Sequence, residues 1–301
     1  MPHKRASIRW LVVFAVLFGL VGCTAPPAED SADQTAPASS PNIGETSASF
    51  ILYVQRNFEP KLTPLDPITL QDAPDHAPFV LSDVGQFQET QFILSPDGAT
   101  VVALIDNQVR VLDGFSGEVR AQFPRTQGIE EVSPDGTRLA GQWFEEPGKP
   151  GWAVLSPEDG KPLVLGEGDY AIFDWENDRV YSLETPNTST SPEPVEPQPV
   201  VLIVSDLETG EEISRLTLDD VLAGSVEIDD PFPFGPSMAL ASDRRRLVLL
   251  HGDADKITVV DLDQLQVVST RDLQGSQDPL VAGEAIRGYD MKFTPDGTLY
   301  I

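Results

Sequence analysis

A short turn sequence that occurs three times constrains the fold of this chain more than any other feature. Ser95-Pro96-Asp97-Gly98 and Ser133-Pro134-Asp135-Gly136 separate apolar, β-branched runs, and Thr294-Pro295-Asp296-Gly297 is a third copy. Proline fixes φ at the first corner of a turn, aspartate accepts a backbone N–H, and glycine adopts a positive φ. Each copy therefore predicts a tight hairpin between two short strands.

A second pattern alternates with these hairpins. Residues 111–118 and 204–211 both place an apolar run before an aspartate and end in Gly-Glu. The first three hairpins, at Ser95, Ser133 and Asp174, are separated by about the 40–45 residues that one propeller blade occupies. The two patterns together predict an all-β fold, a β-propeller of four-stranded antiparallel blades, with about five blades represented.

The wider spacings between later hairpins predict insertions at residues 185–199, 219–236 and 274–288. In repeat folds such insertions fall in loops, often on the binding face. Phe232 and Phe234 lie in the second insertion with prolines around them. They are a candidate contact loop if their rings are exposed, and the alternative is that the rings fold back onto the blades.

The N-terminus predicts a targeting segment. A basic start precedes an apolar run from Trp10 to Val21, which is shorter than the roughly 20 residues that span a bilayer. Leu20-Val21-Gly22-Cys23 resembles a bacterial lipobox. The resemblance implies a lipoprotein signal peptide over residues 1–22 and lipidation of Cys23, whereas the alternative is an ordinary secretory peptide with a coincidental cysteine.

The remaining segments follow from that boundary. Residues 23–49 combine the lipidated Cys23 with a predicted disordered tether, because Ala, Pro, Ser and Thr dominate them. Residues 50–301 form the predicted propeller domain. Cys23 is the only cysteine, which excludes an intramolecular disulfide and a thiolate metal site.

Charge limits the partners that the chain can bind. It carries 48 Asp and Glu against 20 Lys and Arg, a net charge of −28. Such a surface repels polyanions, so nucleic acid is not an expected partner.

The turns at residues 95–98, 133–136 and 294–297, with the strands at 111–118 and 204–211, make the chain resemble the extracytoplasmic propellers of the YVTN, Tol-type and WD-like group. The resemblance covers roughly residues 50–301. The third and fourth hairpins depart from it, since Asp174 to Asp178 and Ser242 to Arg246 replace Ser-Pro-Asp-Gly. Those two turns are therefore expected to differ in type.

No motif in the sequence predicts catalysis. Beyond the signal peptide only His76 and His251 remain as histidines, and no nucleophile elbow, phosphate loop or dinucleotide fingerprint is present. We therefore expect no catalytic, cofactor-binding or metal-binding residues and no cofactor.

The expected function is a non-catalytic binding scaffold on the extracytoplasmic face of the cell envelope. It would be held to the membrane by the lipid on Cys23, with a protein or glycan as partner. The alternatives are a cofactor- or glycan-binding enzyme similar to the quinoprotein and amine-dehydrogenase propellers, or the sensor part of a longer protein. The final strands either close the ring with residues 50–81 or, as we favour, the natural ring continues past Ile301.

Overall fold

The structure is a computed structural model. It describes residues 52–55, 60–65, 71–73, 78–81, 90–125, 128–146, 149–186, 195–228, 230–273, 291–293 and 297–300. The predicted signal peptide and tether, Cys23 and His76 lie outside these residues, as does the predicted insertion at 274–288. Within the described parts every regular element is a β-strand. These parts contain no helix with the length and apolar character needed to cross a membrane.

The strands form six antiparallel sheets, each built from one contiguous stretch of chain. Sheet 1 contains β1 (Leu52–Gln55), β2 (Lys61–Leu65) and β3 (Phe79–Val80). Sheet 2 contains β4 (Thr90–Leu94), β5 (Thr100–Ile105), β6 (Gln108–Asp113) and β7 (Val119–Pro124). Sheet 3 contains β8 (Glu131–Val132), β9 (Leu139–Glu146), β10 (Lys149–Leu155) and β11 (Pro162–Glu167).

The other three sheets follow in chain order. Sheet 4 contains β12 (Asp169–Asp174), β13 (Arg179–Glu184), β14 (Gln198–Asp206), β15 (Glu212–Ile228) and β16 (Asp230–Phe234). Sheet 5 contains β17 (Ser237–Leu240), β18 (Arg246–Leu250), β19 (Lys256–Asp261) and β20 (Gln266–Asp272). Sheet 6 contains β21 (Lys292–Phe293) and β22 (Leu299–Tyr300).

The Ser-Pro-Asp-Gly turns have the geometry that their residues favour. Ser95 Oγ donates to Asp97 Oδ1 at 2.5 Å and accepts from the Thr100 N–H at 2.9 Å. Gly98 has a φ of 69°, a conformation that costs an L side chain roughly 1–2 kcal/mol. In the second copy Ser133 Oγ donates to Asp135 Oδ1 at 2.6 Å. The turn sequence therefore closes its own polar groups without help from other parts of the chain.

The predicted insertion at 219–236 is part of sheet 4. β15 runs on from its pairing with β14 and then pairs with β16, so residues 219–236 form most of a long hairpin. The Ser225 N–H donates to the Val195 carbonyl at 3.0 Å, and the Val195 N–H donates to Ser225 Oγ at 2.6 Å. These bonds tie the end of the 185–199 insertion to the hairpin.

The hydrophobic core lies between consecutive sheets. One cluster joins sheets 2 and 3 and includes Leu104, Val111 and Leu139. Another joins sheets 4 and 5 and includes Leu183 and Leu247, both with no exposed surface. A single two-sided sheet cannot bury both faces by itself, so each sheet depends on its neighbours.

The first strands of the sheets lie next to one another. Contacts join β4 to β8, β12 to β17, and β17 to β21. Because neighbouring strands run antiparallel, the connections of each sheet lie at the two opposite ends of its strands. We name as the turn face the end that carries the turns between the first and second strands and between the third and fourth. We name as the link face the opposite end, which carries the second-to-third connections and the links between sheets.

Candidate functional site

A cleft of about 250 Å³ opens on the link face between sheets 3 and 4. Its walls come from the ends of β9 and β10, from the link between β11 and β12, and from the ends of β13 and β14. The lining residues are Trp143, Pro150, Gly151, Leu165, Gly166, Glu167, Gly168, Asp169, Leu183, Glu184, Thr185 and Ile203.

Asp169 occupies a strained position in this wall. It lies between Gly168, with a φ of 98°, and Tyr170, with a φ of 53°. The register of β12 against β13 also shifts between Asp169 and Ile172, which is a bulge of the kind that redirects side chains. A tyrosine in the left-handed region costs roughly 1–2 kcal/mol, so the surrounding structure holds the link in this form.

Burial controls the electrostatics of Asp169. It raises the pKa of the carboxyl, while a 2.6 Å hydrogen bond from Thr185 Oγ1 to Oδ2 acts in the opposite direction. Burial and the nearby Asp169 also raise the pKa of the Tyr170 hydroxyl. Among the described residues Asp169 has no ion-pair partner, so its charge is poorly compensated.

The opposite wall of the cleft contains the Trp143 ring and glycines, which carry no side chain. Trp143 is partly buried, and its indole N–H has no hydrogen-bond partner among the described residues. A Cβ on Gly166 would lie 2.1 Å from the Trp152 ring, so only glycine allows the strand to approach that indole. Gly166 lies opposite Trp152 in the β10–β11 ladder, so the missing side chain leaves room for the buried indole beside the cleft.

The polar side chains of this cleft are mainly hydrogen-bond acceptors. Three carboxylates line the cleft, from Glu167, Asp169 and Glu184, together with the Thr185 hydroxyl. Its described lining contains no histidine, lysine or arginine. In the described part of the chain no group of three or more His, Cys, Asp or Glu residues could hold a metal ion. The arrangement suits a ligand that donates hydrogen bonds or carries positive charge.

The candidate contact loop lies on the same hairpin. Phe234 is only 8% exposed, and Phe232 pairs with Val226 in the β15–β16 ladder. The buried ring of Phe234 agrees with the alternative that it folds back onto the sheet. A contact role for Phe232 and Phe234 stays a prediction, as does lipidation of Cys23.

Aromatic residues of β10 and β12 form core between sheets 3 and 4. Trp152 has no exposed surface and meets Phe173 edge to face, with ring centroids 6.0 Å apart. The Phe173 and Trp175 rings stack with their centroids 5.9 Å apart, and Cζ of Arg138 lies 5.0 Å from the centroid of the Trp175 ring. These contacts join sheets 3 and 4 below the cleft.

His251 does not join the cleft. It is buried at the end of β18, where Nε2 lies 2.8 Å from Thr258 Oγ1 and Nδ1 lies 4.0 Å from Asp253. Burial lowers the pKa of its imidazole, and Asp253 acts against that shift. The segment from His251 to Lys256 is a hairpin connection closed by the His251 N–H and the Lys256 carbonyl at 3.0 Å.

Sequence reasoning did not single out the cleft residues Asp169 and Thr185. They meet because β12 and β13 pair as antiparallel neighbours, which brings the start of one strand beside the end of the other. One local signal was present in Gly166-Glu167-Gly168-Asp169, where two glycines flank acids outside any hairpin turn. Glycines at such a link favour close backbone approach, and the acids beside them are then candidates for a site.

The fold is that of a β-propeller, as similarity to solved structures shows. KlHsv2 with loop 6CD replaced by a Gly-Ser linker matches with a TM-score of 0.50 and 12% identity, over 80% of this chain and 68% of that one. BamB from Moraxella catarrhalis matches with a TM-score of 0.43 and 15% identity, over 74% and 62%. No protein-family model matches the sequence. No curated protein is significantly similar to it.

These findings confirm the predicted fold class. The repeating antiparallel sheets are the blades of the propeller, and sheets 2, 3 and 5 have the four strands that the sequence predicted. Sheet 4 has a fifth strand, because the residues predicted as an insertion pair as β15 and β16.

Proposed function

We propose that this chain is a non-catalytic binding propeller of the cell envelope, anchored outside the cytoplasmic membrane by a lipid on Cys23. Its partner would be a protein that docks on the link face. The observation that carries the proposal is the placement of two of the predicted insertions, at 185–199 and 219–236. The described residues of both lie at the link face, where the cleft also opens.

The turn face is a poorer docking surface for a partner. Its turns are short and satisfy their own hydrogen bonds, as in the pair Ser133 and Asp135. Ion pairs between sheets also cover it, such as Arg138 Nη1 with Glu208 Oε1 at 2.5 Å. Irregular, longer connections on a rigid scaffold are where binding residues concentrate.

The net charge of −28 supports a partner with a basic surface. Opposite charge speeds the encounter of two proteins and fixes their orientation. The acids of the link face include Glu167, Asp169 and Asp219, the last of which is exposed on β15.

The anchor is tested by mass spectrometry of the full chain made in a bacterium. The expected product begins at Cys23 and carries added acyl mass, and a Cys23→Ala variant should lack that mass and leave the membrane fraction. An unmodified chain that begins at another residue would refute the anchor.

The docking face is tested by photo-crosslinking in the cell envelope. A crosslinking residue at Asp219 samples the link face, and the same residue at the exposed Glu158 samples the turn face. We expect a discrete protein adduct from position 219 and none from position 158. Equal labelling at both positions, or adducts from 158 alone, would contradict the proposed face.

A further inference from the structure

The connection between β18 and β19 packs directly against the base of the long hairpin at residues 219–236. A Cβ on Gly252 would lie 2.4 Å from the Gly235 carbonyl oxygen, so the two backbones are in contact with no room for a side chain between them. Phe234, which precedes Gly235, is only 8% exposed. His251, which precedes Gly252, is only 2% exposed. A titratable ring is therefore buried beside the contact that joins the hairpin of sheet 4 to sheet 5.

Hydrogen bonds fix the His251 ring in this position. Its Nε2 lies 2.8 Å from Thr258 Oγ1, which in turn lies 3.0 Å from Thr270 Oγ1. A neutral ring with its proton on Nε2 donates to Thr258, and the Thr258 hydroxyl then donates to Thr270. The backbone N–H of His251 donates to the Lys256 carbonyl at 3.0 Å and closes the connection. The closed arrangement thus accommodates the neutral ring with its hydrogen bonds made.

A second proton on the ring is not accommodated in the same way. It would lie on Nδ1, and the Asp253 carboxylate oxygen at 4.0 Å is too distant to accept it. The charged groups that act on the ring are Asp253 and Lys256 of its own connection and Asp220 of β15. The two acids favour the protonated ring and Lys256 opposes it, but burial outweighs the acids and lowers the pKa of the His251 imidazole below its ordinary value of 6.5. The packed arrangement therefore selects the neutral ring.

The direction of the pH effect follows from linkage. When the connection opens and the ring meets water, its pKa returns toward the ordinary value of 6.5. The open form therefore binds a proton more readily than the closed form. The contact has its full strength above that value and is weakened progressively as the pH falls below it. Surface connections open locally at a lower free energy than the sheets, so such a change does not require the fold to be lost.

We propose that His251 is a pH-sensitive latch, which holds the base of the long hairpin while its ring is neutral and releases it when the ring is protonated. The inference goes beyond the proposed function, because the response requires no partner. Acid would loosen residues 219–236, which belong to the proposed docking face, and so would weaken docking there.

Hydrogen exchange of the free full chain, purified in a mild non-ionic detergent, tests the latch between about pH 8 and 5. Mass spectrometry gives protection factors, which are corrected for the intrinsic effect of pH on exchange, in peptides that cover residues 219–228 and 251–256. We expect both to fall about threefold or more across this range. His251→Gln can still donate to Thr258 but cannot titrate, so its protection factors should stay constant. His76→Gln, the same substitution at another histidine, should respond as the wild type does.

A measurement on the wild-type chain keeps the test independent of how the variants fold. An imidazole pKa of 6.5 or higher for His251 in an NMR titration would overturn the inference. Constant protection in the wild type, a full response in His251→Gln or a lost response in His76→Gln would do the same. A response confined to residues 251–256 would show that His251 does not hold the hairpin. Crosslinking from position 219 at neutral pH is unaffected by these outcomes, so a failure of the latch is distinguishable from a failure of the proposed function.

Discussion

Arg244 Nη1 donates to Asp174 Oδ1 at 2.7 Å and so joins the first turn of sheet 5 to the first turn of sheet 4. Asp174 has no exposed surface, and Arg244 also reaches Glu176 at 2.9 Å. Arg244 has a φ of 54° in the place that glycine occupies in the Ser-Pro-Asp-Gly turns. The backbone strain at this residue is thus offset by a contact between blades.

Replacement of Arg244 should reveal both effects. Arg244→Ala leaves the buried Asp174 carboxylate without its ion-pair partner and keeps the strained φ, so we expect a loss of about 2–4 kcal/mol in the free energy of unfolding. Arg244→Gly removes the same contact but relieves the strain, and should lose about 1 kcal/mol less. Urea denaturation measures both values.

Arg245→Ala is the matched control for this pair of variants. Arg245 pairs with Asp263, but both side chains are exposed, and exposed ion pairs are worth about 0–1 kcal/mol. If Arg244→Ala costs no more than Arg245→Ala, the contact between blades does not stabilise the fold.

The Ser-Pro-Asp-Gly turn at residues 133–136 should make stability depend on pH in the acid range. The Ser133 hydroxyl and the Thr137 N–H hold the pKa of Asp135 at about 2, below its ordinary value of 3.8. The folded state therefore releases this proton more readily than the unfolded state, so the stabilisation is present above the ordinary value and is lost as the pH falls toward 2. In Asp135→Asn the unfolding midpoint should change less steeply with pH between about pH 4 and 2 than in the wild type. The same pH dependence in both proteins would contradict this account.

Asp169 should behave in the opposite way. Burial raises the pKa of its carboxyl, so the folded state favours the neutral acid, and the benefit is lost as the pH rises past the ordinary value of 3.8. We expect Asp169→Asn to melt at or above the wild-type temperature at neutral pH, with the difference disappearing in strong acid. A large loss of thermal stability at neutral pH would show that the acid is structural.

Gly166 should tolerate no side chain. Its added Cβ would lie 2.1 Å from the buried Trp152 ring, and overpacking of this kind costs about 1–3 kcal/mol. Gly128 is the matched control in the same region, because its Cβ would find only the Gln142 Cβ at 3.8 Å. Gly128→Ala should change the free energy of unfolding by less than about 0.5 kcal/mol. Equal losses in the two variants would argue against the packing explanation.

Local chemistry made the blades predictable. The turn at Ser95 closes through its own Asp97 and Gly98, so a sequence of four residues is enough to specify it. The apolar runs on both sides then need only a neighbouring sheet. The fourth hairpin turn, in sheet 5, was expected to differ in type from the Ser-Pro-Asp-Gly turns, and its hydrogen bonding shows that this expectation was wrong. The Arg244 N–H donates to the Ala241 carbonyl at 2.8 Å, as the Gly98 N–H donates to the Ser95 carbonyl.

The third hairpin turn, in sheet 4, does differ from the Ser-Pro-Asp-Gly turns, as expected. Its positive φ falls at Asp178, with a value of 53°, and Asp174 is bonded by Asn177 at 2.8 Å. Aspartate adopts the left-handed region more readily than most residues, so Asp178 fits its turn, whereas Arg244 does not announce this conformation from its residue type. A contact between sheets, with Asp174, accompanies the positive φ at Arg244, and a single sequence does not display it.

The hairpin at residues 219–236 escaped prediction for a related reason. Its acids and prolines are typical of loops, but β16 is an edge strand, where prolines such as Pro231 and Pro233 are tolerated. The cleft escaped because Trp143 of sheet 3 and Asp169 of sheet 4 line one cleft only after the two sheets pack. The first omission is thus a matter of local strand pairing, and the second a matter of packing between sheets.

The separation of the two edges of each sheet has a consequence for how such a chain can vary. Segments of very different length leave and rejoin the sheets at one end of the strands, while compact corners close the other end. Residues can therefore be gained or lost at the link face without disturbing the packing between the sheets. Related chains should differ in length mainly there, while the sheets and the turn face are kept.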